Sequence, residues 1–226
     1  MSNEPLADVR DMYMAHIMFR REIGLAADLV RGAAGDVERA AIVADHLTLV
    51  DSVLEHHHQG EDKHIWPKLL ERASEAGPIV QVMEEQHGAI DKLVDELRAE
   101  LAQWRVTADP GLGAAVADTV KELHTRLVEH LATEEAEALP LIERHITAAE
   151  WAAMIADGAQ DVPPEQMALM FGLMSYEADA DTVRDIIATL PPEVGSVIGD
   201  ASAQAFAAYA QRVHGTVTPA RIGGSQ

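Results

Sequence analysis

Residues 43–67 read VADHLTLVDSVLEHHHQGEDKHIWP. Val43, Leu47, Val50 and Leu54 recur at spacings of four and three, and His57 and Glu61 continue the same phase. That recurrence is one face of an α-helix. The stretch therefore predicts a helix whose inward stripe passes from aliphatic to ionisable without losing register. Of the three consecutive histidines, His57 continues the stripe. His56 and His58 lie about 100° to either side of it, so the expectation is that only His57 faces inward.

The pattern returns later in the chain. Val116, Val120, Leu123, Leu127, His130 and Glu134 each lie 73 residues after their counterparts. Met12, His16, Phe19, Ile23, Ala26 and Val30 form a further stripe, repeated 71 residues on by Met83, His87, Ile90, Val94, Leu97 and Leu101. Two copies of a helical hairpin are implied, with turn chemistry at Gly32–Asp36 and Thr107–Gly113. Pro67 and Pro78 bracket the crossing between them. Four amphipathic helices joined by short connections predict an all-α, up-down-up-down four-helix bundle over residues 1–145.

The stripes put His16, His57, His87, His130, Glu61 and Glu134 where a core should be. Burying an ionised carboxylate costs several kcal/mol, on the order of the price of an unpaired charge, unless a partner or a metal compensates it. Histidine and glutamate four apart share a face. The four histidines also lie 9 to 11 residues from Pro5, Pro67, Pro78 and Pro140, which puts them at one height. A polar break at matched height on four helices, twice in the phrase H-x3-E-x5-P, points to metal ligation. The set is imidazole and carboxylate without sulfur. Six ligands are too many for one tetrahedral zinc. They suit two ions bridged by carboxylates, with iron favoured over manganese or zinc.

With His16, HHQGEDKHIWP, EEQHGAID around His87 and EHLATEEAEALP around His130 in view, residues 5–145 resemble the hemerythrin family in its bacterial HHE cation-binding branch. The resemblance implies a non-haem di-iron centre, two Fe ions with an oxo or hydroxo bridge. Glu61 and Glu134 would be the bridging carboxylates, and the four histidines would complete the first shell. Oxygen-carrying hemerythrins place a further histidine where this chain has Asp91, and end in H-x4-D where this chain has His130-x3-Glu134. Both departures resemble the H-HxxxE-H-HxxxE subgroup, which includes iron-sensing and peroxide-handling relatives. One imidazole fewer leaves an open position, a water or a substitute ligand, for which Asp91 and Tyr13 are candidates. The implied function is binding and reaction of dioxygen, peroxide or nitric oxide, as a peroxide- or nitric-oxide-consuming oxidoreductase. The alternative is an oxygen or iron sensing or storage module without turnover. His64, seven residues after His57, is a lesser candidate for the rim of the site, and a packing role is the expectation for it. His46, His124, His145 and His214 are expected to be surface or packing residues.

The remaining composition narrows the classes. The 226 residues carry a net charge of -21 and no cysteine. Disulfides, thiolate zinc sites and iron-sulfur clusters are excluded, and nucleic acid or anionic membrane is an unfavourable partner. No signal-like start and no membrane-length apolar run occurs, so a soluble cytoplasmic protein is expected. Residues 146–218 predict a helical extension: a capping box at Thr147–Glu150, a methionine-rich helix after Pro163-Pro164, and two further helices, the last stopped by Gly215. This extension could cover the bundle, close the site entrance or form a homodimer contact. Residues 219–226 read as a disordered tail.

Overall fold

The computed structural model describes residues 4–160 and 162–224, the side chains of Pro164 and Glu165 excepted. All of its regular elements are helical. Helices α1 (Arg10–Gly32), α2 (Val37–His64), α4 (Ala76–Trp104) and α5 (Pro110–Thr133) form the bundle. Helix α1 packs on α2 and α5, and α4 packs on the same two, which closes the ring. Helix α3 (Trp66–Arg72) carries the crossing between the hairpins. A π-helical turn at Glu134–Ala138 joins α5 to α6 (Leu139–His145).

Local chemistry sets the ends of these helices. Asp36 caps α2 by accepting from the Arg39 amide at 2.9 Å, and Asp109 caps α5 by accepting from Gly111 and Leu112. Gly35 adopts φ 78° in the first hairpin turn, a conformation glycine reaches without Cβ strain. Its amide donates to the Ala108 carbonyl of the second turn at 2.9 Å, so the two turns brace each other. Pro67 and Pro140 lack an amide proton and stand just past the two breaks in the helical ladder, at Ile65 and at the π turn.

The core is split in two. One apolar cluster runs from Ala15, Leu54, Ile90 and Leu131 toward the hairpin turns. The other gathers Met12, Ile65, Trp66, Met83, Leu139 and Ile142 at the proline end. The ionisable layer lies between them.

The extension forms α7 (Ala148–Ala159), α8 (Pro164–Ser175), α9 (Ala180–Thr189) and α10 (Pro192–His214). The expected capping box is complete: Thr147 and Glu150 exchange side-chain and backbone hydrogen bonds. Helix α10 starts ten or so residues earlier than SAQAFAAYAQRVHG suggests, at a proline suited to a first turn. It ends at Gly215 in the left-handed region. Helix α7 packs on α2, α8 on α1, and α10 on α8 and α2. A Cβ on Gly172 would collide with the Ser202 carbonyl, so glycine sets the close approach of α8 and α10. Of the expected disordered tail, residues 219–224 lie on the protein. Tyr176 donates to the Pro219 carbonyl at 2.9 Å, and Glu177 accepts from the amides of Gly223 and Gly224. Residues 225–226 lie outside the described residues. No helix among the described residues is long and apolar enough to cross a membrane.

Candidate metal centre

The four helices bring His16, His57, Glu61, His87, His130 and Glu134 into one layer. His16, Glu61, His130 and Glu134 have no exposed surface, and His87 has almost none. The repeat seen in sequence becomes an approximate twofold relation in space. Glu61 faces His57 Nε2 (3.4 Å) and His87 Nε2 (3.4 Å) with its two different oxygens. Glu134 Oε2 faces His16 Nε2 (3.3 Å) and His130 Nε2 (3.7 Å). Each carboxylate therefore sits between a histidine of its own helix and one from a neighbour.

None of these approaches is a hydrogen bond. The Nε2 atoms of His16, His57, His87 and His130 and all four oxygens of Glu61 and Glu134 are buried without a partner. Such a concentration of unsatisfied groups is unusual, because each costs about 1–3 kcal/mol or more if charged. Two ligand atoms bound about 2.0–2.2 Å from one ion stand roughly 3 Å apart. The nitrogen–oxygen spacings here are near that figure, so the donor set fits metal cations placed between imidazole and carboxylate.

The outward nitrogens are anchored. His87 Nδ1 donates to Asp62 at 2.9 Å, and His16 Nδ1 donates to Glu135 at 2.8 Å. His130 Nδ1 donates to the Gln86 side-chain oxygen at 3.1 Å. Arg20 holds Glu135 at 2.7 Å. A carboxylate on the far nitrogen fixes the tautomer that turns the Nε2 lone pair inward, and raises its basicity. Asp62 and Glu135 are themselves repeat mates, each following its glutamate by one residue. The signal was present in the sequence as paired acids, ED and EE, but both lie off the inward stripe and reach a histidine on another helix.

His58 corrects the expectation from the stripe. It is buried, its ring stacks on His87 with centroids 4.0 Å apart, and neither of its nitrogens has a partner. Its repeat counterpart Leu131 is buried as well. A bundle helix buries a stripe at least 100° wide, so neighbouring residues 57 and 58 both fit inside it. His56 is exposed and donates from Nδ1 to the Ser52 carbonyl at 2.6 Å. The centre thus gathers five imidazoles. His58, His87 and His130 lie on one side, and His16 and His57 with Glu134 on the other.

Tyr13 and Asp91 are not in this layer. Tyr13 is exposed and meets His16 edge-on at 6.5 Å, and Asp91 is an exposed residue of an acidic cleft that reaches His58. His64 ties α2 to α7 through Asp157 at 2.9 Å instead of lining the centre. His46 and His214 are packing residues, at a buried cluster around Glu22.

Burial and the facing imidazoles set the electrostatics of the two carboxylates. Burial, and then the charge of Glu134, push Glu61 up to about 8. Burial also opposes charge on Glu134, but His16 outweighs it and holds Glu134 low. The two glutamates are related by the twofold, so the proton belongs to the pair, not to one member. Burial opposes protonation of His16, yet Glu134 and Glu135 lift it to about 9. Burial likewise opposes His87, which Asp62 and Glu61 raise to about 10. Burial keeps His57 down at about 3 and His130 at about 4.

A helical bundle with a buried layer of histidines and carboxylates, their donor atoms unsatisfied and turned inward, is a metal-cation-binding module. The family model of the hemerythrin HHE cation binding domain matches residues 7–142, and the chain belongs to that family. Searches of curated proteins and of solved structures found no match.

Proposed function

We propose that the chain is a non-haem di-iron protein that binds and reacts with a small oxygen species, dioxygen, peroxide or nitric oxide. The observation that carries this reading is the set of buried, unpartnered donor atoms on five histidines and two glutamates. The absence of thiolate ligands and the excess of ligands over one tetrahedral site favour two iron ions over zinc. Glu61 and Glu134 would bridge, since each faces a histidine from both sides of the layer.

Bound iron would supply Lewis acidity and one-electron redox chemistry to the small ligand. The chain's own residues supply the rest. Asp62, Glu135 and Gln86 hold three imidazoles in the tautomer that ligates. His16 and His87, raised to about 9 and about 10 by the carboxylates they face, would give up a proton if a cation bound. The two sides are unequal: His16 and His57 offer one imidazole fewer than His58, His87 and His130. The small ligand is therefore assigned to the His16–His57 side. Phe19 packs against His57 with ring centroids 5.2 Å apart and keeps that side apolar.

Metal analysis and an absorption spectrum of protein made with iron available test the reading. Two irons per chain with a near-ultraviolet band are expected. One zinc per chain and no such band would contradict it. Steady-state peroxide consumption by the iron-loaded protein then separates an enzyme from a sensor or store.

A further inference from the structure

The C-terminal extension forms one wall of a cavity that ends at the metal centre. This cavity, of about 320 Å³, lies between α1–α2 and α7–α8. Its walls are mainly apolar, with Met12, Trp151, Met154, Met170 and Met174, and its few polar lining residues include His57. The same His57 turns its Nε2 toward Glu61 at 3.4 Å. Dioxygen, peroxide or nitric oxide needs only a small part of that space. The volume instead falls at the lower end of the roughly 300–1,000 Å³ of small organic ligand sites, and the lining has their composition, apolar with a few polar groups. The cavity opens to solvent, and an apolar occupant would displace water that these walls hold with few hydrogen bonds. Methionine adapts to ligands of varied shape.

The charge of the occupant is also constrained. No lysine or arginine is among the described residues lining the cavity, whereas Asp11 is. Trp151 Nε1 donates to both Asp11 oxygens at 3.2 Å, which fixes the carboxyl at the wall. An anion would find only the imidazoles of His56 and His57 as possible counter-charges, and would enter beside a carboxylate.

We propose that this cavity binds an uncharged, predominantly apolar organic molecule and holds it against His57. The cavity stands on its own lining. Only its adjacency to iron rests on the function proposed above. It gives residues 148–175 a role at the centre that the four-helix bundle alone lacks.

Titration calorimetry of the full chain with decanol and decanoate, in iron-loaded and metal-free forms, tests the proposal. Decanol should bind saturably, one per chain, in both forms, and decanoate at least tenfold more weakly. Gly158→Phe and Ala159→Phe fill the cavity from α7. A Cβ on Gly158 meets nothing within 4 Å, so the helix accepts the larger residue. Each variant should weaken decanol at least tenfold with its melting temperature retained. Decanol should also shift the absorption band of the iron-loaded wild type. No saturable binding, or binding that both phenylalanines leave intact, overturns the cavity. Binding that leaves the iron band unmoved overturns its placement against His57. A chain that takes up no iron yet binds decanol in the phenylalanine-sensitive way refutes the di-iron reading and upholds the cavity.

Discussion

Two buried clusters in this protein have similar composition and opposite character. The first is the layer around Glu61 and Glu134. The second, toward the hairpin turns, joins Glu22 of α1, His46 of α2 and His214 of α10, whose ligand atoms also lie within 4.8 Å of one another. Both Glu22 oxygens are satisfied there: Arg21 Nε donates to one at 2.7 Å and His214 Nε2 to the other at 3.0 Å. Burial resists ionisation of Glu22, but His214, His46 and Arg21 outweigh it and hold it at about 2. The Arg21 guanidinium donates to the Leu173 carbonyl and lies over Tyr176 and Phe206. His46 is turned by Tyr209 at 2.9 Å, and only its Nε2 is left without a partner. The protein has thus set a permanently charged arginine beside one carboxylate and only imidazoles beside the others. Residue type and proximity do not separate these clusters; unsatisfied donor atoms do.

The contrast predicts opposite responses to the same kind of substitution. Glu61→Gln should abolish binding of two metal ions and leave the metal-free protein at least as stable as the wild type, because glutamine matches the uncharged form that burial imposes on Glu61 near neutral pH. Glu22→Gln should leave metal content intact and cost about 3–5 kcal/mol of folding stability, because Arg21 loses its buried partner. Metal analysis and denaturant unfolding of both variants check this. Metal loss in Glu22→Gln with retention in Glu61→Gln would invert the assignment.

His58 sharpens the comparison within the centre. His58→Leu installs the residue of its repeat mate Leu131 and should weaken the second metal ion by an order of magnitude or more. The metal-free form should gain about 1–3 kcal/mol, since two unpartnered buried nitrogens disappear. His56→Leu should do neither. Metal titration followed by calorimetry on the two variants decides between them. A smaller effect is expected one layer out: Asp62→Asn should lower metal affinity by roughly 10–100-fold, measured by competition with a chelator, without loss of the fold.

The bundle was legible because Val43–Glu61 and Val116–Glu134 keep one phase through a change from aliphatic to ionisable residues. The prolines also set all four histidines at one height. Six of the seven residues gathered at the centre followed from that register. His58 did not, because its counterpart is a leucine and a repeat reveals only what both copies share. Asp62 and Glu135 were hidden for a different reason. They serve histidines on neighbouring helices, and a single-helix stripe carries no information about contacts across the bundle. The Glu22 cluster required α10, 192 residues away at His214, to return against α1. The same holds for the cavity, whose walls come together only when α7 and α8 are placed beside α2.

Acidity provides a further, smaller distinction between the metal-free and metal-loaded forms. Without metal, Glu61 at about 8, His16 at about 9 and His87 at about 10 all bind protons more tightly than the free side chains do at 4.5 and 6.5. Their contribution is present at low pH and is lost as pH rises through those values. His57 at about 3 and His130 at about 4 are depressed, so their contribution is lost as pH falls below 6.5. Metal-free protein should therefore be most stable near pH 6.5, the ordinary value of a free histidine. Its melting temperature should drop by roughly 5 °C or more as the pH rises toward 9, while the metal-loaded protein shows no such fall. Calorimetric scans across that range check it, and parallel curves for the two forms would place the titrating groups elsewhere.

Where metal sits distinguishes the two clusters. Anomalous diffraction at the iron edge from crystals of the iron-loaded protein tests this most directly. Two peaks are predicted between Glu61 and Glu134, one beside His16 and His57 and the other beside His58, His87 and His130, with none at Glu22. A single peak, or density among Glu22, His46 and His214 with the layer above it empty, would contradict it.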